Sequence, residues 1–140
     1  MEISVIRKRV RDAIDRAKRR RAMDRRTRTD DARRAFEAFL EHTAVPMFRQ
    51  IDNVLRVEGY AFTLHTPPDS VRLMSDRRAE DYLELRLDTR GEAPQALGRV
   101  SHARASGVYE SEQPLGDPAT LTEEELLSWL LRALEPLVER

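Results

Sequence analysis

Apolar positions along the chain fall into three successive rhythms. Ile3, Ile6, Val10, Ala13 and Ala17 recur at alternating steps of three and four, and Ile14 adds to the same side. That is a heptad-like seam of barely two repeats, ending in alanines. Arginine stands at position 20, where the next apolar residue belongs. From Lys18 to Arg34 only Ala22, Met23 and Ala32 suit a core, so this stretch reads as an exposed helix or a frayed connector. No glycine or proline occurs between Met1 and Val45, which permits a long helix. Helical spacing resumes with Phe36, Leu40, Thr43, Met47, Ile51 and Leu55, supported by Phe39, Phe48 and Val54. Thr29 or Asp30 can cap this second segment, and Asp30 and Asp31 suit a helix N-terminus. Pro46 implies a kink, and Gly59 a stop after Val57.

The period then drops to two. Tyr60, Phe62 and Leu64 alternate with Ala61, Thr63 and His65, and "TPPDS" (Thr66 to Ser70) turns the chain. "VRLMS" returns. In "DYLELRLD", Leu83, Leu85 and Leu87 take one face, while Tyr82, Glu84, Arg86 and Asp88 take the other. "QALGRVSHARAS" is a further strand in which Gly98 marks a bulge or a close backbone approach. "VYESE" (Val108 to Glu112) is a candidate edge strand, and "EQPLGDPATL" reads as a loop. Short turns between successive strands predict an antiparallel meander, apolar on one face and charged on the other.

The third rhythm is helical again. Thr122 and Glu125 have capping-box spacing, and Leu126, Leu127, Leu130, Leu131, Leu134 and Leu137 form a wide apolar stripe expected to dock on the sheet. Pro136 should end or bend this helix in its last turn, and Trp129 sits at the core edge. The expected fold is therefore α+β. A long or broken N-terminal helix precedes a meander of four or five antiparallel strands and a C-terminal amphipathic helix packed on one face. Residues 1–28 form a basic helical arm, and 29–140 a single α+β domain.

Charge changes this picture more than composition does. The 140-residue chain carries 25 basic and 25 acidic residues and is formally neutral. Residues 1–28 hold twelve basic and four acidic residues, a net of +8, so the remainder carries −8. Such a division points to an anionic partner or to an arm that neutralises a body. Acid-before-base pairs at i,i+4, namely Asp12–Arg16, Asp15–Arg19, Asp24–Arg28 and Asp30–Arg34, offer local ion pairing worth roughly 0.2–0.5 kcal/mol each. Even so, Arg7, Lys8, Arg9, Arg11, Lys18, Arg20, Arg21, Arg25 and Arg26 are left over, and only Glu2 offsets them.

The chain has no cysteine, which excludes disulfides and thiolate metal sites. His42, His65 and His102 lack metal-ligand spacing, although His65 and His102 could become cross-strand neighbours. Ser101–His102 is adjacency rather than a nucleophile–base arrangement. Glu80 and Asp81 open a strand and could be a carboxylate pair, but no catalytic motif is recognised around them in the sequence. No Gly-rich phosphate loop or G-x-S-x-G occurs. Neither catalysis nor a cofactor is expected, and no motif identifies a family. The start of the chain has no apolar run resembling a signal peptide, and "LLSWLL" is too short to span a bilayer. A cytoplasmic location is the default expectation.

These features predict a non-enzymatic interaction module. Its arm, through Lys18, Arg20, Arg21, Arg25 and Arg26, would dock on an acidic protein surface or another subunit. The seam Ile3, Ile6, Val10 and Ile14 would meet a partner helix or a second copy. Non-specific binding to nucleic-acid phosphates through the same arginines is the alternative, although no aromatic residue interleaves them for base stacking. A membrane-surface role is disfavoured, because the apolar face is small and lacks an aromatic anchor.

Overall fold

The computed structural model of the chain describes residues 1–139. Helix α1 (Ile3–Phe39), a π-helical turn (Leu40–Ala44) and helix α2 (Val45–Val57) follow one another without a break. Together their 55 residues make a rod about 80 Å long. Thr29 and Asp30 are not used as caps, because the backbone is already helical there and both residues sit inside α1. Instead of a frayed connector, the arginine-rich stretch is an exposed helix.

Pro46 acts through the turn before it. Proline has no N–H to give the His42 carbonyl, and its ring crowds that carbonyl. Widening the preceding turn relieves both problems, and the Val45 N–H donates to the Leu40 carbonyl, five residues back. The extra residue in that turn rotates the downstream face. Phe36 and Phe39 are buried before it, Leu40 and Ala44 within it, and Met47, Phe48, Asp52 and Leu55 after it. Ile51 is therefore only half-buried and Val54 is 62% exposed, contrary to the single unbroken stripe expected from spacing. The rod stops where anticipated. Gly59 adopts φ +90°, its N–H donates to the Arg56 carbonyl, and the Tyr60 N–H reaches the Leu55 carbonyl. This is a Schellman closure, which favours glycine at the left-handed position.

Strands β1 (Phe62–His65), β2 (Ser70–Ser75), β3 (Tyr82–Asp88), β4 (Gln95–Arg104) and β5 (Gly107–Gly116) form an antiparallel meander in chain order. The fifth strand is longer than "VYESE". It takes in Gln113 to Gly116, which spacing alone assigned to a loop, because the start of β4, from Ala96 to Gly98, lies beside it. Pro114 is tolerated there since β5 is the sheet edge. Registers place Leu64 beside Leu73, Leu73 beside Leu83, Val71 beside Leu85, and Leu83 beside Val100. This is the apolar face, and α2 crosses β1 and β2 while helix α3 (Glu123–Val138) crosses β3 and β4.

Helix α3 begins with a complete capping box. The Glu125 N–H donates to the Thr122 hydroxyl, and the Thr122 N–H donates to the Glu125 carboxylate. Leu126, Trp129, Leu130, Ala133 and Leu137 are buried beneath it. Leu127 and Leu131 are not, with 39% and 53% exposure, because a stripe of six leucines is wider than one sheet contact can cover. Pro136 lies inside the last turn and the helix runs only to Val138. Trp129 is core rather than core edge. A Cβ on Gly98 would stand 2.4 Å from its Cε2 and Cζ2 atoms, so this glycine permits a close approach.

Candidate functional site

Residues 3–28 of α1 are exposed apart from a half-buried Ala17. Lys18, Arg20, Arg21, Arg25 and Arg26 are all exposed along this stretch. The expected i,i+4 pairs do not form: among the described residues, none of Asp12–Arg16, Asp15–Arg19, Asp24–Arg28 or Asp30–Arg34 closes to 4.0 Å. Arg19 Nε donates instead to the Asp15 carbonyl at 3.3 Å, and Arg34 pairs with Asp31 at 3.7 Å. Two exposed side chains gain little Coulomb energy in water and lose rotamer freedom when they meet, so open pairs are unsurprising.

Arginines on the outer face of the sheet behave differently. Registers align Arg72, Glu84, Arg99 and Glu112 in one row across β2 to β5. Arg72 donates to Glu84 Oε2 through Nη2 at 2.6 Å and Nε at 2.9 Å, and its guanidinium lies 4.0 Å from the Tyr82 ring centre. Arg99 donates to Glu110 at 2.7 Å, which raises the Arg99 pKa above its ordinary value. Arg90 donates to Asp88 at 2.9 Å; this hydrogen bond holds the Asp88 carboxyl below its usual range. A mixed-charge cleft of about 460 Å³ opens beside this row, where Arg33 and Glu37 of α1 approach Asp69, Arg72, Glu84 and Arg86. Arg72, Arg86, Arg90 and Arg99 are thus matched by carboxylates inside the chain, whereas among the described residues Arg104 on β4 and Lys18, Arg20, Arg21, Arg25 and Arg26 of the arm are not.

The seam is equally unpartnered. Ile3, Ile6, Val10 and Ile14 are 70%, 47%, 51% and 47% exposed. A second apolar surface was not singled out from spacing. It is a groove of about 500 Å³ between α2 and α3, with Met47, Ile51, Val54 and Leu55 on one side and Leu127, Leu131 and Leu134 on the other. Glu123 and Glu124 form its acidic end. The excess width of the α3 leucine stripe was the signal that could have found it.

The remaining candidates come apart. His65 pairs with Arg72 on β2, and His102 pairs with Tyr109 on β5 and stacks on its ring at 5.6 Å. Two strands, β2 and β3, separate these histidines, so they are not cross-strand neighbours. Ser101 is buried, and successive strand residues point to opposite faces, which parts it from His102. Asp81 is buried and accepts from the Ala103 N–H at 2.8 Å, while Glu80 stays exposed. Among the described residues no group of three or more His, Cys, Asp or Glu is placed to hold a metal ion. Among them, too, no helix is long and apolar enough to cross a membrane. No family model matches this chain, and neither curated proteins nor solved structures give a significant match.

Proposed function

We propose that the protein is a non-enzymatic interaction module whose basic helical arm docks on an acidic protein surface or another subunit. The observation that carries this reading is the contrast in pairing. Arg72, Arg86 and Arg99 on the sheet, and Arg90 in the turn between β3 and β4, each have a carboxylate within 4.0 Å. Lys18, Arg20, Arg21, Arg25 and Arg26 have none among the described residues, on an exposed stretch of α1. A preformed helix loses little backbone entropy on docking, and a cationic one is steered toward anionic surfaces.

Tagged full-length chain, purified beside a K18A/R20A/R21A/R25A/R26A variant, tests this. A stoichiometric acidic protein or a second copy that stays with the wild type and leaves the variant is the expected result. Open guanidiniums also suit phosphates, so nuclease-sensitive absorbance at 260 nm in the wild type alone would move the reading to nucleic acid. Identical, partner-free behaviour of both chains would refute both readings.

A further inference from the structure

We infer that the partner is a second copy of this chain, whose Ile3–Ile14 seam lies in the groove between α2 and α3 of the first. This inference rests on the docking role proposed for the arm and names what the arm docks on. Two apolar surfaces stand open on one molecule, and they are complementary in charge. The seam belongs to a segment of net charge +8, with Arg11 and Lys18 flanking Ile14. The groove belongs to the acidic remainder, with Glu123 and Glu124 at the end near Met47.

The chain cannot fill its own groove. Ile14 and Met47 lie on one continuous rod, 33 residues and thus about 50 Å apart. Bringing them together would require breaking α1. A second copy running antiparallel solves this for both molecules at once. Read from the N-terminus, the seam residues are Ile3, Ile6, Val10 and Ile14; read backwards, the exposed or groove-lining residues of α2 are Val57, Val54, Ile51 and Met47. Steps of three, four and four face steps of three, three and four. Pairing Ile6 with Val54 and Val10 with Ile51 sets one register for the whole rod. In that register Arg20 of one copy lies opposite Glu41 of the other, and Glu37 is exposed one turn away. A two-fold axis near residue 30 makes the contact reciprocal, as an isologous interface requires.

The chain has no cysteine, so introduced pairs report on one contact at a time. Light scattering on the purified full chain should give the mass of two chains. Oxidised I6C/V54C should run as a covalent dimer, while I6C alone and V54C alone remain single chains. Since Ile6 and Val54 are 47% and 62% exposed, I6D and V54D should leave the fold of dilute protein unchanged. Each should weaken dimerisation on the order of 100-fold. Ready bridging of I6C alone would overturn the groove, placing seam against seam instead. A single-chain mass at every concentration would overturn the second copy altogether. It would leave the arm's docking on a foreign protein to the purification experiment, which a monomer can still pass.

Discussion

The two halves of the long rod share one kind of pattern and meet opposite fates. Ile3, Ile6, Val10 and Ile14 recur at helical spacing and remain open, while Phe36, Leu40, Ala44, Phe48 and Leu55 recur at similar spacing and are buried. Helical spacing alone does not distinguish them. The difference lies in what stands opposite: β1, β2 and α3 cover the C-terminal half, whereas among the described residues Ile3, Ile6, Val10 and Ile14 are left exposed. Amphipathic periodicity therefore states that a face is suited to a partner. It does not state whether that partner is intramolecular.

Truncating one residue in each half breaks the comparison most sharply. Phe48 is fully buried in the core, so F48A should lose about 3–5 kcal/mol of unfolding free energy, through lost transfer energy and a cavity. V10A, at a half-exposed position, should change dilute protein by no more than about 0.5 kcal/mol. Paired urea titrations of the two variants give both numbers. Equal losses would mean that the seam is already packed within a single chain.

A smaller effect is expected at the platform that holds the buried half. Trp129 is 3% exposed and its indole occupies the space where a Gly98 side chain would stand. An added methyl must push a bulky ring into a filled core, and overpacking of this kind costs about 1–3 kcal/mol. Thermal melts of G98A should show that loss. An unchanged melt would mean that α3 shifts freely on β4, and the burial of the α2 half would then rest on α2 and the sheet alone.

Legibility of the fold followed how local each cause was. Gly59 and the Thr122–Glu125 box act over a few residues, and the structure uses both as read. In β3, Leu83 and Leu85 are buried as expected, but Tyr82 and Glu84 on the other face are buried too and Leu87 is only half-buried. Ile51 and Val54 were misplaced because Pro46 inserts a π turn, and a one-residue change of phase leaves no trace in spacing. Gln113 to Gly116 joined β5 through a neighbour ten or more residues away. Of the candidate site, the basic surplus and the seam were visible as composition and period. The groove was not, because it exists only once α2 and α3 lie side by side. Open ion pairs at Asp12, Asp15 and Asp24 were hidden for another reason: spacing permits a pair, but water decides whether it closes.

The mildest prediction concerns charges that, unlike those of the arm, have found partners at home. Arg90 donates to Asp88 through its side chain and its backbone N–H, and these bonds lower the carboxyl's pKa from its ordinary value. A carboxyl whose folded pKa is depressed binds its proton more readily when unfolded. Its contribution is therefore present above the unfolded value, about 3.9 for aspartate, and is lost as pH falls through the lower folded value. Acid titration of stability should accordingly be shallower in D88N than in wild type below about pH 4. Because the pair sits on the surface, the difference should be small beside those of F48A and G98A. Superimposable acid limbs would mean that Arg90 swings free of Asp88 in solution. Arg90 would then be as open as the arm's cations, and the contrast in pairing would rest on Arg72, Arg86 and Arg99 alone.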